Sequence, residues 1–339
     1  MSLWPAAVAT MVGSLPGTDS AEASRIVAGE LADFIAVPEL PARGPGADII
    51  GRTLGLLTQT DSAFGAATTP TGWRVAGSMT AAMRTARSFL GEDLDQLEEA
   101  AQGYRGPLKF ALCGPWTLSA AVELPNGQPV LSDHGAVREV AEGMAMVVQH
   151  LTGILQRRFP SAKIIFQLDE PSLPAVLTGS VPTASGWGAL RSVQPAVVSG
   201  HLERVLEAGS VGVHCCSAAF PVDLVVGAGA QFVSFDALNA RPSDEAVSRA
   251  WEKGVGIIAG VAAARSGPAT DEWISRSARR YLEDLGFTDH RYLQSLAISP
   301  PCGLAGYSLS AARAVLKDCH TIGRILRNED EKSVQQDEV

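Results

Sequence analysis

Positive charge is scarce in this chain. Its 27 Lys and Arg are outnumbered by 36 Asp and Glu, giving a formal net charge of −9, and no basic run occurs anywhere along its 339 residues. Nucleic acid is therefore excluded as an expected partner. Long apolar runs are missing too, and Met1-Ser2-Leu3-Trp4-Pro5 has neither a charged n-region nor a signal-type apolar core. That excludes a membrane span and points to a cytoplasmic protein. Cysteines number only five. In a reducing cytosol they are not expected to form a disulfide framework, and any that cluster call for a metal or catalytic explanation. Neither an internal repeat nor an interdomain linker occurs, so one domain is expected although 339 residues would suffice for two.

What is present is 46% hydrophobic and 19% charged, with 34 glycines, the profile of an α/β protein with many tight strand-to-helix connections. Short β-like runs alternate with helical patterns. The periodicity predicts eight strands: Val8–Gly13, Phe34–Glu39, Leu108–Cys113, Lys163–Asp169, Ser210–Cys215, Phe232–Asp236, Val255–Val261 and Tyr292–Ser299. Helical patterns cover Asp133–Arg158, Ser185–Glu207, Ser243–Lys253, Asp271–Leu285 and Leu309–Arg327. This alternation predicts a closed (β/α)8 TIM barrel over residues 1–327, with its active site at the C-terminal ends of the strands. The Gly-, Thr- and Pro-rich stretch from Leu40 to Trp73 predicts a long loop of the lid or binding type. Residues 328–339 carry five acids against one lysine, which predicts a disordered acidic tail.

Each expected strand is apolar through its body and ends in a chemically loaded group. These endings are Gly13-Ser14, Glu39, Gly114-Pro115, Asp169-Glu170, His214 with Cys216, Asp236, Arg265 just past the seventh strand, and Cys302. Asp236 and Ser14 read equally well as helix N-caps. His214-Cys215-Cys216 closes the apolar run Val211-Gly212-Val213. On an extended chain residues i and i+2 point to one side, so His214 and Cys216 can share an ion while Cys215 faces away. Cys302 can add a third ligand, and two cysteines with one histidine leave zinc a coordination position open. The competing reading is that buried cysteines act as small hydrophobes. Cys113 and Cys319 need no other explanation.

Five of these strand ends, in order from about Thr10 to about Gly306, resemble the C-terminal catalytic barrel of cobalamin-independent methionine synthase. Its superfamily also contains uroporphyrinogen decarboxylase and the zinc methylcobamide:thiol methyltransferases. Val12-Gly13-Ser14-Leu15-Pro16 is similar to the family's Gly-Ser-aromatic-Pro element, with Leu15 in place of the aromatic. Gly114-Pro115-Trp116-Thr117 is similar to its Gly-Pro-x-Thr turn, and Gln167-Leu168-Asp169-Glu170-Pro171 to its Gln-x-Asp-Glu-Pro strand end. His214-Cys215-Cys216 matches His-x-Cys, and Pro301-Cys302-Gly303 the late Cys-Gly motif.

The resemblance implies a zinc-dependent methyltransferase that activates homocysteine as a zinc thiolate and methylates it to methionine. His214, Cys216 and Cys302 are the implied zinc ligands, with Asp236 as a fourth where the full-length synthases carry Glu. Asp169 and Glu39 are implied to hold the amino group of homocysteine, Gly13 and Ser14 its carboxylate. Asp169 and Glu170 are the implied catalytic carboxylates. The chemistry is coherent in itself: a free thiol is mostly protonated at neutral pH, and zinc coordination lowers its pKa. Two thiolate ligands keep such a bound sulfur nucleophilic, which favours thiol alkylation over water activation. The full-length synthase uses a further N-terminal barrel to bind its folate, and this chain opens on the catalytic barrel. A corrinoid donor, on a carrier protein or free, is therefore favoured over methyltetrahydrofolate, for which Trp116 would offer a stacking surface. The alternatives are a zinc alkyltransferase acting on another small thiol, a uroporphyrinogen-type decarboxylase, which would want a cationic pocket, and a non-catalytic zinc- or thiol-binding barrel.

Overall fold

The computed structural model describes residues 2–60, 64–263, 270–286 and 290–337; Arg265 lies outside the described residues. Eight strands carry the frame: β1 (Val8–Ala9), β2 (Ile35–Ala36), β3 (Pro107–Cys113), β4 (Lys163–Asp169), β5 (Val211–Cys215), β6 (Phe232–Asp236), β7 (Gly256–Gly260) and β8 (Leu296–Ser299). All pair in parallel, in the spatial order β1-β8-β7-β6-β5-β4-β3-β2. The sheet curls until its two edges meet at their C-terminal ends. There Ser14 and Glu39 form a parallel bridge, with the Glu39 N–H donating to Gly13 O at 3.1 Å and the Leu15 N–H to Glu39 O at 2.9 Å. This is the (β/α)8 barrel expected from the periodicity.

The helices are α1 (Ser20–Glu30), α2 (Ile49–Thr60), α3 (Ala81–Ala100), α4 (Pro115–Ala121), α5 (His134–Arg158), α6 (Leu173–Thr178), α7 (Pro195–Leu206), α8 (Val222–Gly227), α9 (Asp244–Glu252), α10 (Asp271–Leu285) and α11 (Leu309–Asp337). Their apolar faces join the outer faces of the strands in one large core. A second cluster, Trp4, Val8, Phe34, Ile165, Phe232, Ile258 and Ala297, is separate from it. Trp4 stacks on Phe34 at 5.3 Å and meets Phe232 edge-on at 5.5 Å. These residues come from the lower halves of six strands or the turns leading into them, so they plug the barrel from below. Polar chemistry is left to the opposite end.

Strands β1 and β2 are two residues each, much shorter than the expected Val8–Gly13 and Phe34–Glu39, and four further segments differ from the sequence expectation. Leu40 to Trp73 is not a long loop: it holds α2, a short 3-10 turn at Pro41–Arg43 and a hairpin of Gly65–Thr69 with Gly72–Ala76. Asp48 caps α2, accepting from the N–H groups of Ile50 and Gly51 at 3.0 Å each. Ile50, Leu54 and Leu57 give that helix its inward stripe at helical spacing. The helix expected from Ser185 starts only at Pro195, because proline suits the first turn of a helix and holds the residue before it extended. Strand β8 starts at Leu296, after a 3-10 turn at His290–Ser295. Finally, α11 continues to Asp337 through most of the expected tail. Glu, Lys and Gln are good helix formers, and extending an existing helix costs far less than nucleating one.

Candidate metal and thiol site at the barrel mouth

His214 ends β5, Cys216 follows it, and Cys302 lies just past β8. Their imidazole nitrogen and two sulfurs lie within 4.8 Å of one another. Tetrahedral zinc, with bonds of about 2.3 Å to sulfur and about 2.0 Å to nitrogen, wants such atoms less than about 4 Å apart, so the donor set and its spacing fit with a small contraction. The His214 ring is buried, and its Nδ1 lies 2.9 Å from Ser234 Oγ on the neighbouring β6. That contact fixes the ring and leaves Nε2 as the coordinating atom, the arrangement metal-binding histidines favour. Cys216 is half-buried and Cys302 exposed, so the cluster opens to the barrel mouth. A hydrogen bond from Cys216, with a second contribution from His214, holds the Cys302 thiol down at about 4, and the same bond raises Cys216. Cys215 is fully buried in the outer core, where loss of solvent pushes its thiol up to about 12.

Asp236 stands apart from this cluster. Its Oδ1 accepts from the N–H groups of Leu238 and Asn239 at 2.8 Å each, and its Oδ2 accepts from Asn239 Nδ2 at 3.2 Å. The carboxylate therefore caps the loop after β6 and not the helix that follows, whose N-cap is Ser243, and it lies outside the group formed by His214, Cys216 and Cys302.

Asp169 ends β4 as the register partner of His214, so both side chains rise on the same face of the sheet. Its Oδ1 accepts from Gln167 Nε2 at 2.7 Å. Burial raises its pKa, against the lowering influence of His214, Gln167 and Lys109. Glu39 is 4% exposed and 3.8 Å from Arg52 Nη1, and burial pushes its carboxyl up to about 8 against the pull of that guanidinium. Its Oε1 has no hydrogen-bond partner among the described residues. A buried acceptor left open in this way suits a donor carried by a ligand. A β-carbon at Gly13 would stand 3.0 Å from that oxygen, and one at Gly303 only 2.1 Å from Ser14 Oγ. The two glycines thus let Glu39 and Ser14 close against β1 and the Cys302 loop, and the Leu304 N–H completes the seam by donating to Ser14 O at 2.9 Å.

Two expected site residues have other occupations. Glu170 is fully buried; its Oε1 accepts from the Trp116 N–H at 2.9 Å, and its Oε2 from the Thr117 N–H and hydroxyl at 2.7 Å each. It caps the first turn of α4, with burial raising its pKa to about 7, and both oxygens are spent. An acid–base role does not fit that geometry. Trp116 is 1% exposed, donates to Val198 O at 3.3 Å and packs on His201. It lines a cavity of about 550 Å3 bounded by Leu131, Val137, Val193 and Val197, and it offers no free face over the mouth for a pterin to stack on. Ser234, Lys109, Gln167 and Arg52 support the site from within the strands and from α2, where the sequence marks no strand end. Each is a polar residue interrupting an apolar pattern, which was the available signal.

No family model matches the chain, and no curated protein matches it. Among solved structures, a B12-independent methionine synthase from Shewanella sp. W3-18-1 in complex with selenomethionine superposes with a TM-score of 0.62. The alignment covers 96% of this chain and 98% of that one at 15% identity. A methyltransferase from Methanosarcina mazei gives a TM-score of 0.58 at 11% identity, covering 97% of this chain and 94% of that one. At these identities the likeness is one of fold.

Proposed function

We propose that this chain is a zinc-dependent methyltransferase whose acceptor is the thiol of homocysteine. One observation carries the reading: two thiols and an imidazole converge at the barrel mouth beside Asp169, while the buried Glu39 keeps an oxygen without a partner. His214, Cys216 and Cys302 would hold the ion, with Ser234 fixing the imidazole. Zinc bound there lowers the pKa of an arriving thiol and so makes its sulfur a nucleophile for an electrophilic methyl group. Asp169 and Glu39 accept hydrogen bonds from the substrate ammonium, Glu39 giving up its buried proton as the cation arrives, because a charged amino group in a site this dry needs carboxylate partners. Gly13 and Ser14, on the seam beside Cys302, take the substrate carboxylate. Two structures of this fold, described as a methionine synthase and a methyltransferase, support methyl transfer. The Shewanella protein is of matching extent and described as B12-independent, which supports a methyl donor other than a corrinoid.

The test incubates zinc-loaded protein and homocysteine with methylcobalamin and, separately, with methyltetrahydrofolate mono- and polyglutamates, and assays methionine. Methionine from either donor is the expected result and names the donor. None from any of them, with homocysteine nonetheless bound, would sink the proposed reaction. Asp169→Asn should weaken homocysteine binding by on the order of 3 kcal/mol, because it removes one partner of a buried ion pair, and should leave the zinc content unchanged.

A further inference from the structure

Lys109 sits in the middle of β3, 1% exposed. Its Nζ donates to Met11 O at 2.6 Å, to Val12 O at 3.2 Å and to Gln167 Oε1. A lysine only donates, so Gln167 must turn its oxygen towards Lys109 and its amide nitrogen away. That nitrogen then donates to Asp169 Oδ1 at 2.7 Å and to Val12 O at 3.1 Å. Burial draws the Lys109 ammonium down to about 7, with Asp169 and Glu39 opposing. The three acceptors within reach need three hydrogens, which only the charged form carries.

We propose that Lys109 and Gln167 are positioning residues: through this buried relay they hold Asp169 as a pure acceptor for the substrate ammonium. The proposal rests on the reading of Asp169 given above. The direction of the relay is fixed by chemistry. With Lys109 pinning its oxygen, Gln167 can present only N–H to Asp169, and a carboxylate receiving N–H from below stays an acceptor towards the mouth. The same ammonium ties down the carbonyls of Met11 and Val12, immediately before Gly13 and Ser14. One buried lysine thereby sets the spacing between the groups proposed for the two ends of an amino acid head.

The experiment compares homocysteine with 4-mercaptobutanoate, the same thiol acid without its amino group, by calorimetry on zinc-loaded full-length protein. Lys109→Met frees the Gln167 oxygen, so that Gln167 can turn and accept from Asp169 once Asp169 takes up a proton. Homocysteine affinity should fall about tenfold or more, while 4-mercaptobutanoate affinity and zinc content stay as in the wild type. Equal losses for both thiols, or none for either, would overturn the proposal. Where Lys109→Met does not fold, the double variant Lys109→Met/Gln167→Met removes both polar partners at similar volume and is read in the same way. A wild-type protein that binds the two thiols equally well would defeat the amino-acid reading instead. The relay is then judged on the Gln167 side-chain amide, followed by nitrogen-15 NMR and assigned by its absence in Gln167→Met. Slow exchange that becomes fast in Lys109→Met supports the relay, and exchange that does not change refutes it.

Discussion

Cys215 and Cys216 are adjacent in sequence and opposite in role, because a strand alternates its side chains and the barrel gives its two faces different surroundings. One thiol is sealed in the outer core and the other opens to the mouth beside Cys302. His214→Ala, Cys216→Ser and Cys302→Ser should each lower bound zinc from about one ion per chain, as metal analysis of the purified protein would read. Cys215→Ser should keep the zinc. The reverse pattern, zinc lost with Cys215→Ser and kept with Cys216→Ser, would refute this assignment of faces. Glu39 makes a second residue-level test through pH. Its carboxyl titrates at about 8 in the fold against 4.5 when exposed, so the folded state holds a proton that the unfolded state releases. The resulting stabilisation is complete below about pH 4.5 and is lost as pH rises through about 8. In metal-free protein, Glu39→Gln needs no proton there and should lessen the fall of the urea midpoint across that window. Glu170, raised to about 7 by burial, accounts for part of the remaining slope. A slope identical to the wild type would mean that Glu39 is ionised in the fold as the partner of Arg52.

At the scale of elements, the Gly-Pro-Trp-Thr turn and the Asp-Glu-Pro strand end are a single device. The carboxylate at the end of β4 caps the helix that follows β3, and Gly114 is glycine because a β-carbon there would stand 2.3 Å from Glu170 Cδ. Glu170→Gln turns a donor amide towards one of those N–H groups and gives up the charge. It should cost about 2 kcal/mol in denaturant unfolding and leave zinc and homocysteine binding intact. Lost turnover at undiminished stability would return Glu170 to the chemistry. This pairing of motifs could not be read from the sequence, where the two lie 50-odd residues apart and Glu170 looks like any carboxylate at a strand end. The strands themselves were legible, because the apolar runs of β3 to β7 stand out between helices. Helix α2 is not legible, because its glycines and threonines have loop composition and mask the helical spacing of Ile50, Leu54 and Leu57. Trp116 misled in a related way: a tryptophan beside a strand end looks like a ligand platform, and only packing against Val198 and His201 makes it wall.

For the whole molecule, the weak place in the barrel is its seam. Strand β1 pairs with β8 through two residues, β2 pairs with β3 through two, and among the described residues the segments that follow β1 and β2 meet at the Ser14–Glu39 bridge. The site groups gather at that seam and around the mouth above it, so binding there and closure of the barrel are physically linked. His214 ends β5 and Cys216 follows it, while Cys302 lies in the loop after β8, with β6 and β7 between the two strands. An ion held by all three joins strands that share no hydrogen bonds, and it binds only the folded arrangement that brings them together. By mass action it should stabilise the protein by about 4 kcal/mol when free zinc is about a thousandfold above Kd. The melting temperature should therefore rise with zinc and fall on chelation. Cys302→Ser, which cuts the link on the β8 side, should lose most of that increment while keeping the melting temperature of the metal-free wild type. A protein that takes up one equivalent of zinc with no change in melting temperature would be holding the ion where it joins no two strands. The assignment of His214, Cys216 and Cys302 as its ligands would then fall, along with the thiol chemistry built on them.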